Sequence, residues 1–256
     1  DVYKRQAYAN YNKPSYRRRN MKINAKKMKL DLMLGALGAL LMVVGDLALS
    51  IIHSDKSDRG LYVREAYMIG SYQLWRPVLL FATGLVGMFF YSFGIKAMLD
   101  QIDPKCRKLR AVMKYGGLAY ICTGAALHFF IGTLSYWMTV FSAEFGRETA
   151  VRLVDDYYSR FMPAASIAYP FIAILLLGSF ISIVSNRTIL PRKMLLFNIL
   201  PWQLILVLVP DIHQMISPNI TTMDYVMSQS SGNLAAVIMF VSQFIWLTRN
   251  EKKLEQ

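Results

Sequence analysis

The chain has 256 residues, of which 55% are hydrophobic, and its mean hydropathy is +0.32. The apolar residues fall in runs of about twenty, longer than the core elements of a soluble domain need, so the composition excludes an ordinary soluble protein. The net charge of +13 does not indicate nucleic-acid binding, because the basic residues flank the apolar runs, as the topology signals of membrane proteins do.

Six apolar segments predict an all-α fold, a polytopic membrane bundle of six transmembrane helices. Each segment has about 17–26 residues, the length that a tilted helix needs to cross a lipid bilayer. The segments are 32–53, 77–99, 111–136, 164–185, 193–213 and 232–248.

The basic residues predict the orientation of this bundle. If the amino terminus is cytoplasmic, the cytoplasmic segments hold 22 of the 29 Lys and Arg residues, and the outer segments hold the other seven. Because cytoplasmic loops carry the excess of Lys and Arg in membrane proteins, we expect both termini in the cytoplasm.

The amino-terminal residues 1–20 are polar and basic, without apolar periodicity. Met21 then begins a short basic stretch directly before the first apolar segment, as a natural start would. We therefore interpret residues 1–20 as a disordered basic tail or a translation artefact, and residues 21–256 as a single transmembrane domain.

Two further patterns concern helix packing. Gly35 and Gly38 in the first segment, and Gly84 and Gly87 in the second, offer small surfaces on which helices can approach closely. Residues 143–163 carry apolar side chains at helical spacing between the third and fourth segments. This spacing predicts a short amphipathic helix along the outer surface.

The most informative polar residue is Asp46, which lies about two-thirds of the way along the first segment. A charged side chain at that depth costs about 2.5–3.5 kcal/mol even on lenient insertion scales, so it needs compensation. Arg76 and Asn233 lie at the outer ends of other segments, and His128 lies in the outer half of its segment. These four residues predict an outward-facing polar pocket that binds the head of a small amphipathic or lipid-like ligand without a cofactor.

A zinc site is one alternative. The three histidines, His53, His128 and His213, lie on the odd-numbered segments, which run in the same direction, and Asp46 and Asp211 accompany them. Three His with a carboxylate can hold Zn²⁺ and leave a position for water. The set is similar to that of intramembrane hydrolases of the alkaline ceramidase and adiponectin-receptor superfamily. Those proteins have seven spans, and their His spacing near the last span is not found here.

Two alternatives need neither a ligand nor a metal. Asp46 and His128 would serve as relay groups in proton-coupled transport. In the other alternative, Asp46 pairs with Arg76 and locks two helices together in a structural membrane subunit that binds partner subunits. The residues leave open whether the chain is an enzyme.

Four short motifs carry a family resemblance. They are Gly45-Asp46, Leu74-Trp75-Arg76, Leu127-His128 and Ser231-Gly232-Asn233. In their order, from about Met21 to Arg249, the chain resembles a family of small uncharacterised bacterial multi-pass membrane proteins, one of the domains of unknown function. The resemblance implies a helical bundle in the bacterial inner membrane and no particular activity.

Overall fold

The computed structural model of the chain describes residues 24–53, 55, 58, 63–70, 72–217 and 221–254. Within these residues all regular secondary structure is helical, which confirms the predicted all-α fold. The predicted tail, residues 1–20, lies outside the described residues.

Eight α-helices follow one another along the described chain. They are α1 (Ala25–Ser50), α2 (Glu65–Met68), α3 (Trp75–Asp100), α4 (Arg107–Phe145), α5 (Arg147–Ala165), α6 (Ala168–Val184), α7 (Ile199–Ile216) and α8 (Thr222–Leu254), with a 3-10 helix at Arg192–Phe197 between α6 and α7.

Five helical segments are long and apolar enough to cross a membrane: α1, α3, α4, α8, and α7 together with the 3-10 helix. Helices α5 and α6 form a sixth candidate, because they pass the same test together although a bend of 41° separates them. The chain is therefore a multi-pass membrane protein with five or six spans, as the apolar segments predicted.

Helix α4 is longer than the segment predicted for it. Its 39 residues extend about 58 Å at 1.5 Å per residue, well beyond a hydrocarbon core of about 30 Å. Helix α5 folds back along the far part of α4 and buries Ala150 and Val154 there. The amphipathic pattern at 143–163 thus lies mostly on α5, and the apolar face of this helix packs on protein.

The helix pair at the centre of the bundle is α1 with α3. A Cβ atom on Gly35 would lie 2.5 Å from the Cα atom of Gly94, and a Cβ atom on Gly38 would lie 2.5 Å from the carbonyl oxygen of Gly87. The two backbones therefore meet where neither helix carries a side chain, and this close approach confirms the glycine pattern.

Polar contacts show that α1 runs antiparallel to both α3 and α8. At its start, Asp31 pairs with Lys96 near the end of α3, and Lys29 pairs with Glu251 near the end of α8. At its end, the backbone accepts hydrogen bonds from Arg76 at the start of α3. We call the end of the bundle where α1 finishes and α3 begins the α2 end.

Candidate functional site

The membrane helices enclose a cavity of about 290 Å³. Helices α1, α3, α4, α6, α7 and α8 all contribute to its lining. Three predicted site residues, Asp46, His128 and Asn233, lie together on its wall. Tyr169 and Ser228 line the cavity and are also exposed, so the cavity opens to the outside of the bundle.

Asp46 is placed on α1 four residues before the helix ends, about 6 Å along the axis from the α2 end. The residue is only 6% exposed. Its Oδ2 atom accepts a hydrogen bond of 2.8 Å from Asn233 Nδ2 on α8. Its Oδ1 atom lies 4.0 Å from His128 Nδ1, which is too long for a hydrogen bond.

His128 reaches the cavity because α4 packs against a glycine of α3. A Cβ atom on Gly84 would lie 2.5 Å from the Cβ atom of His128, so the imidazole fills the place of that missing side chain. Only 13% of the His128 side chain is exposed. The notch on α3 therefore fixes the ring beside Asp46.

Arg76, the fourth predicted site residue, does not line the cavity. Its Nη1 atom donates hydrogen bonds of 2.8 Å to the Ala48 carbonyl and 3.0 Å to the Ile51 carbonyl. The guanidinium thus caps the end of α1, where unpaired carbonyl groups and the helix dipole attract a cation. The direct Asp46–Arg76 contact expected of a structural lock is not formed between these two described residues.

Two glutamines that the sequence reasoning missed belong to the same cavity. Gln229 on α8 accepts a hydrogen bond of 2.6 Å from the Ser50 hydroxyl, while its Nε2 atom is buried without a partner among the described residues. The Oε1 atom of Gln203 on α7 is likewise buried without a partner in the described part of the chain. An amide in the otherwise apolar segment 193–213 was the signal that could have identified Gln203, whereas Gln229 lies before the predicted segment 232–248 and gave no such signal.

The three histidines of the zinc alternative lie apart. His53 follows the end of α1, His128 lies on the cavity, and His213 on α7 contacts Asp224 with 2.9 Å between Nδ1 and Oδ2. Asp211 is exposed on α7. Across the described ranges, no three His, Cys, Asp or Glu residues are grouped to hold a metal ion.

A second charged cluster lies at the α2 end, and the sequence reasoning missed it. Arg64 and Asp58 form an ion pair of 3.5 Å in which both side chains are 0% exposed. Arg64 also donates to the carbonyls of Ser50 and Ile52, and its guanidinium stacks 3.9 Å from the ring centre of Tyr225. The cluster joins the connection after α1 to the first turn of α8.

Two tyrosines cover this cluster without adding charge. The rings of Tyr67 and Tyr72 meet edge to face, with 4.7 Å between their centres. Burial raises the pKa of the Tyr67 hydroxyl and raises the pKa of the Tyr72 hydroxyl to about 12. Both hydroxyls are therefore neutral at physiological pH.

Comparison with known protein families places the whole bundle in one family. A family of unknown function, DUF6796, matches residues 21–250. The chain belongs to this family. The DUF6796 match includes every residue that lines the cavity, from Asp46 to Asn233. It confirms the expectation that the chain belongs to an uncharacterised family.

Neither the curated proteins nor the solved structures contain a chain similar to this one. The functional argument for this DUF6796 protein therefore rests on its own residues.

Proposed function

We propose that this protein binds the polar head of a small amphipathic or lipid-like ligand in the cavity beside Asp46. The head lies among Asp46, His128 and Asn233, and the tail extends through the exposed opening toward the surrounding lipid. Arg76 acts indirectly in this proposal, because it holds the end of α1 and so positions Asp46.

The observation that carries the proposal is the incomplete hydrogen bonding of the cavity wall. Gln203 and Gln229 each have a buried polar atom without a partner among the residues that the structure describes. Buried polar groups in proteins are almost always paired, because an unpaired group costs about 1–3 kcal/mol. A bound head group with donors and acceptors would supply the missing partners.

The position of the cavity favours an amphipathic ligand over a freely soluble one. The helix that carries Gln203, α7, exposes a long apolar face that includes Leu204 and Leu208. A ligand that enters beside this helix meets apolar surface outside the bundle and polar atoms inside it. An amphiphile matches both environments.

We further propose that the protein lies in a bacterial cytoplasmic membrane with both termini in the cytoplasm and the cavity in its outer half. The distribution of Lys and Arg supports this orientation, since 22 of the 29 fall in segments that are cytoplasmic in that arrangement. The ligand would then come from the outer leaflet.

Lipids retained through purification test the proposed function. Gly232 lies on the cavity, and a Cβ atom there would have Gln203 as its nearest neighbour, at 3.7 Å. A Cβ atom therefore has room at this position, and Gly232→Leu is the variant chosen to fill the cavity. Val209→Leu adds volume on the exposed face of α7 and serves as the control.

We expect an amphiphile to be retained at about one molecule per chain by the wild type and by Val209→Leu, and to be lost from Gly232→Leu. Mass spectrometry of the lipids that accompany each purified protein measures this. Equal lipid content in all three proteins would contradict the proposal.

A further inference from the structure

The buried carboxylates of this chain differ in how they are neutralised. Four described aspartates are less than 9% exposed, namely Asp31, Asp46, Asp58 and Asp224. Three of them have a basic side chain in contact: Lys96 at 2.5 Å from Asp31, Arg64 at 3.5 Å from Asp58 and His213 at 2.9 Å from Asp224. Asp46 is the exception within the described chain.

Asp46 faces a cavity wall that supplies no cation. No Lys or Arg is among the described residues that line the cavity. The nearest basic group is the His128 imidazole, whose Nδ1 atom is 4.0 Å from Oδ1. Asn233 is a neutral donor and engages Oδ2 alone. The Oδ1 atom therefore has no hydrogen-bond partner in the described part of the chain.

Several groups of the wall suit a positive charge, although the buried Nε2 atom of Gln229 is a donor. Tyr120 and Tyr169 line the cavity with Asp46, and aromatic rings attract cations through the negative charge on their faces. The unpartnered Oε1 atom of Gln203 adds a hydrogen-bond acceptor. A phosphate or carboxylate head group would instead meet Asp46 without a compensating cation, which is strongly unfavourable in a membrane interior.

We infer that the head group bound in this cavity is a cation, an organic ammonium at the end of an apolar chain, which forms an ion pair with Asp46. This inference rests on the proposed function and adds the chemical class of the ligand. The ammonium occupies the place that Lys96 and Arg64 take beside the other buried aspartates.

Three amphiphiles with the same dodecyl chain test the inference. Dodecyltrimethylammonium carries a positive head, dodecyldimethylamine N-oxide an uncharged head of similar size, and dodecyl phosphate a negative head. Each is titrated into the purified chain in maltoside micelles, and native mass spectrometry measures the bound fraction. Tetramethylammonium, which has the head without the tail, is titrated in parallel.

The variants separate charge from shape. Asp46→Asn keeps the size of the side chain and removes its charge. Asp31→Asn is the control, because it removes a buried carboxylate at the opposite end of α1 and leaves Lys96 paired with Asp100. Gly232→Leu reports binding outside the cavity.

We expect the wild type and Asp31→Asn to bind the trimethylammonium amphiphile at least about tenfold more tightly than the N-oxide or the phosphate, because only the ammonium carries a net positive charge to pair with Asp46. Asp46→Asn should lose this preference and still bind the N-oxide as the wild type does. Tetramethylammonium should bind far more weakly than the amphiphile.

Other results would overturn either the cationic head group or the proposed function. Equal binding of the ammonium and N-oxide amphiphiles, with loss of both in Gly232→Leu, would overturn the cationic head and keep the proposed function. Binding of all three amphiphiles that is unaffected by Gly232→Leu would overturn the proposed function itself. Equal binding of tetramethylammonium and its dodecyl derivative would show that a free cation, not an amphiphile, is the ligand.

Discussion

Asn233 on α8 donates a hydrogen bond to the carboxylate of Asp46 on α1, with 2.8 Å between Nδ2 and Oδ2. The bond joins the first and last helices of the bundle inside the membrane. It provides a neutral donor to one carboxylate oxygen and leaves the other oxygen without a donor among the described residues. Asp46 is thereby a structural contact that keeps one oxygen for the proposed ligand.

Replacing Asn233 by Leu should destabilise the bundle by about 1–3 kcal/mol, because Asp46 would remain buried without a hydrogen bond. Thermal unfolding of the purified variant measures the loss. Asn250→Ala is the matched control, since Asn250 donates to the Trp246 carbonyl of its own helix and should change stability much less. Equal effects of the two substitutions would contradict this role of Asn233.

The buried ion pair at the α2 end should be the most sensitive charged contact in the chain. Arg64→Met leaves Asp58 buried without its cation, and the loss of one partner of such a pair costs about 3–5 kcal/mol. Arg147→Ala removes an exposed pair with Glu65 in the same region, where the Arg147 side chain is 56% exposed. Denaturation curves should separate the two variants clearly, and similar midpoints would contradict the assigned burial.

The contact between α1 and α3 should not tolerate even one methyl group. Gly35→Ala places a Cβ atom 2.5 Å from the backbone of Gly94, so the helices must separate, at a cost of about 1–3 kcal/mol. Gly232→Ala adds the same methyl group where its nearest neighbour is a side chain at 3.7 Å. Thermal stability should fall in the first variant alone, and an unchanged Gly35→Ala protein would disprove the close approach.

Much of this architecture could be predicted from the sequence, because length and hydropathy determine which segments can cross a bilayer. The positions of Asp46, His128 and Asn233 were also predictable, since polar groups in apolar helices turn inward. The end of α4 could not be predicted, because its last turns lie beyond the apolar segment and are supported by α5. Such support depends on tertiary packing.

The contacts of the arginines could not be predicted from position along the chain. Arg76 was predicted to line the same pocket as Asp46, yet its flexible side chain bonds the carbonyl groups at the end of α1. Arg64 lies in a connecting segment whose charged residues predict exposure to solvent, but folding buries Arg64 with Asp58. In both cases the arginine donates hydrogen bonds to carbonyl groups at the end of α1. A hydropathy pattern does not show where such carbonyl groups lie.

The proposed orientation predicts which side of the membrane each end of α4 occupies. Cys106 precedes α4, and Glu144 is exposed near its end. With Cys122 replaced by Ser, a membrane-impermeant maleimide should label Cys106 after permeabilisation and not in intact cells. Glu144→Cys, with Cys106 also replaced by Ser, should be labelled in intact cells. The reverse pattern would contradict cytoplasmic termini.

The most direct test of the central claim is photo-crosslinking with a single-chain amphiphile that carries a diazirine next to its head group. We expect the crosslinks in the wild type to concentrate on the cavity wall, in the peptides that contain Gln203 and Ser228, and to disappear in Gly232→Leu. Crosslinks confined to the apolar groove of Phe81 and Phe129 on α3 and α4, unchanged by Gly232→Leu, would contradict a ligand in the cavity beside Asp46.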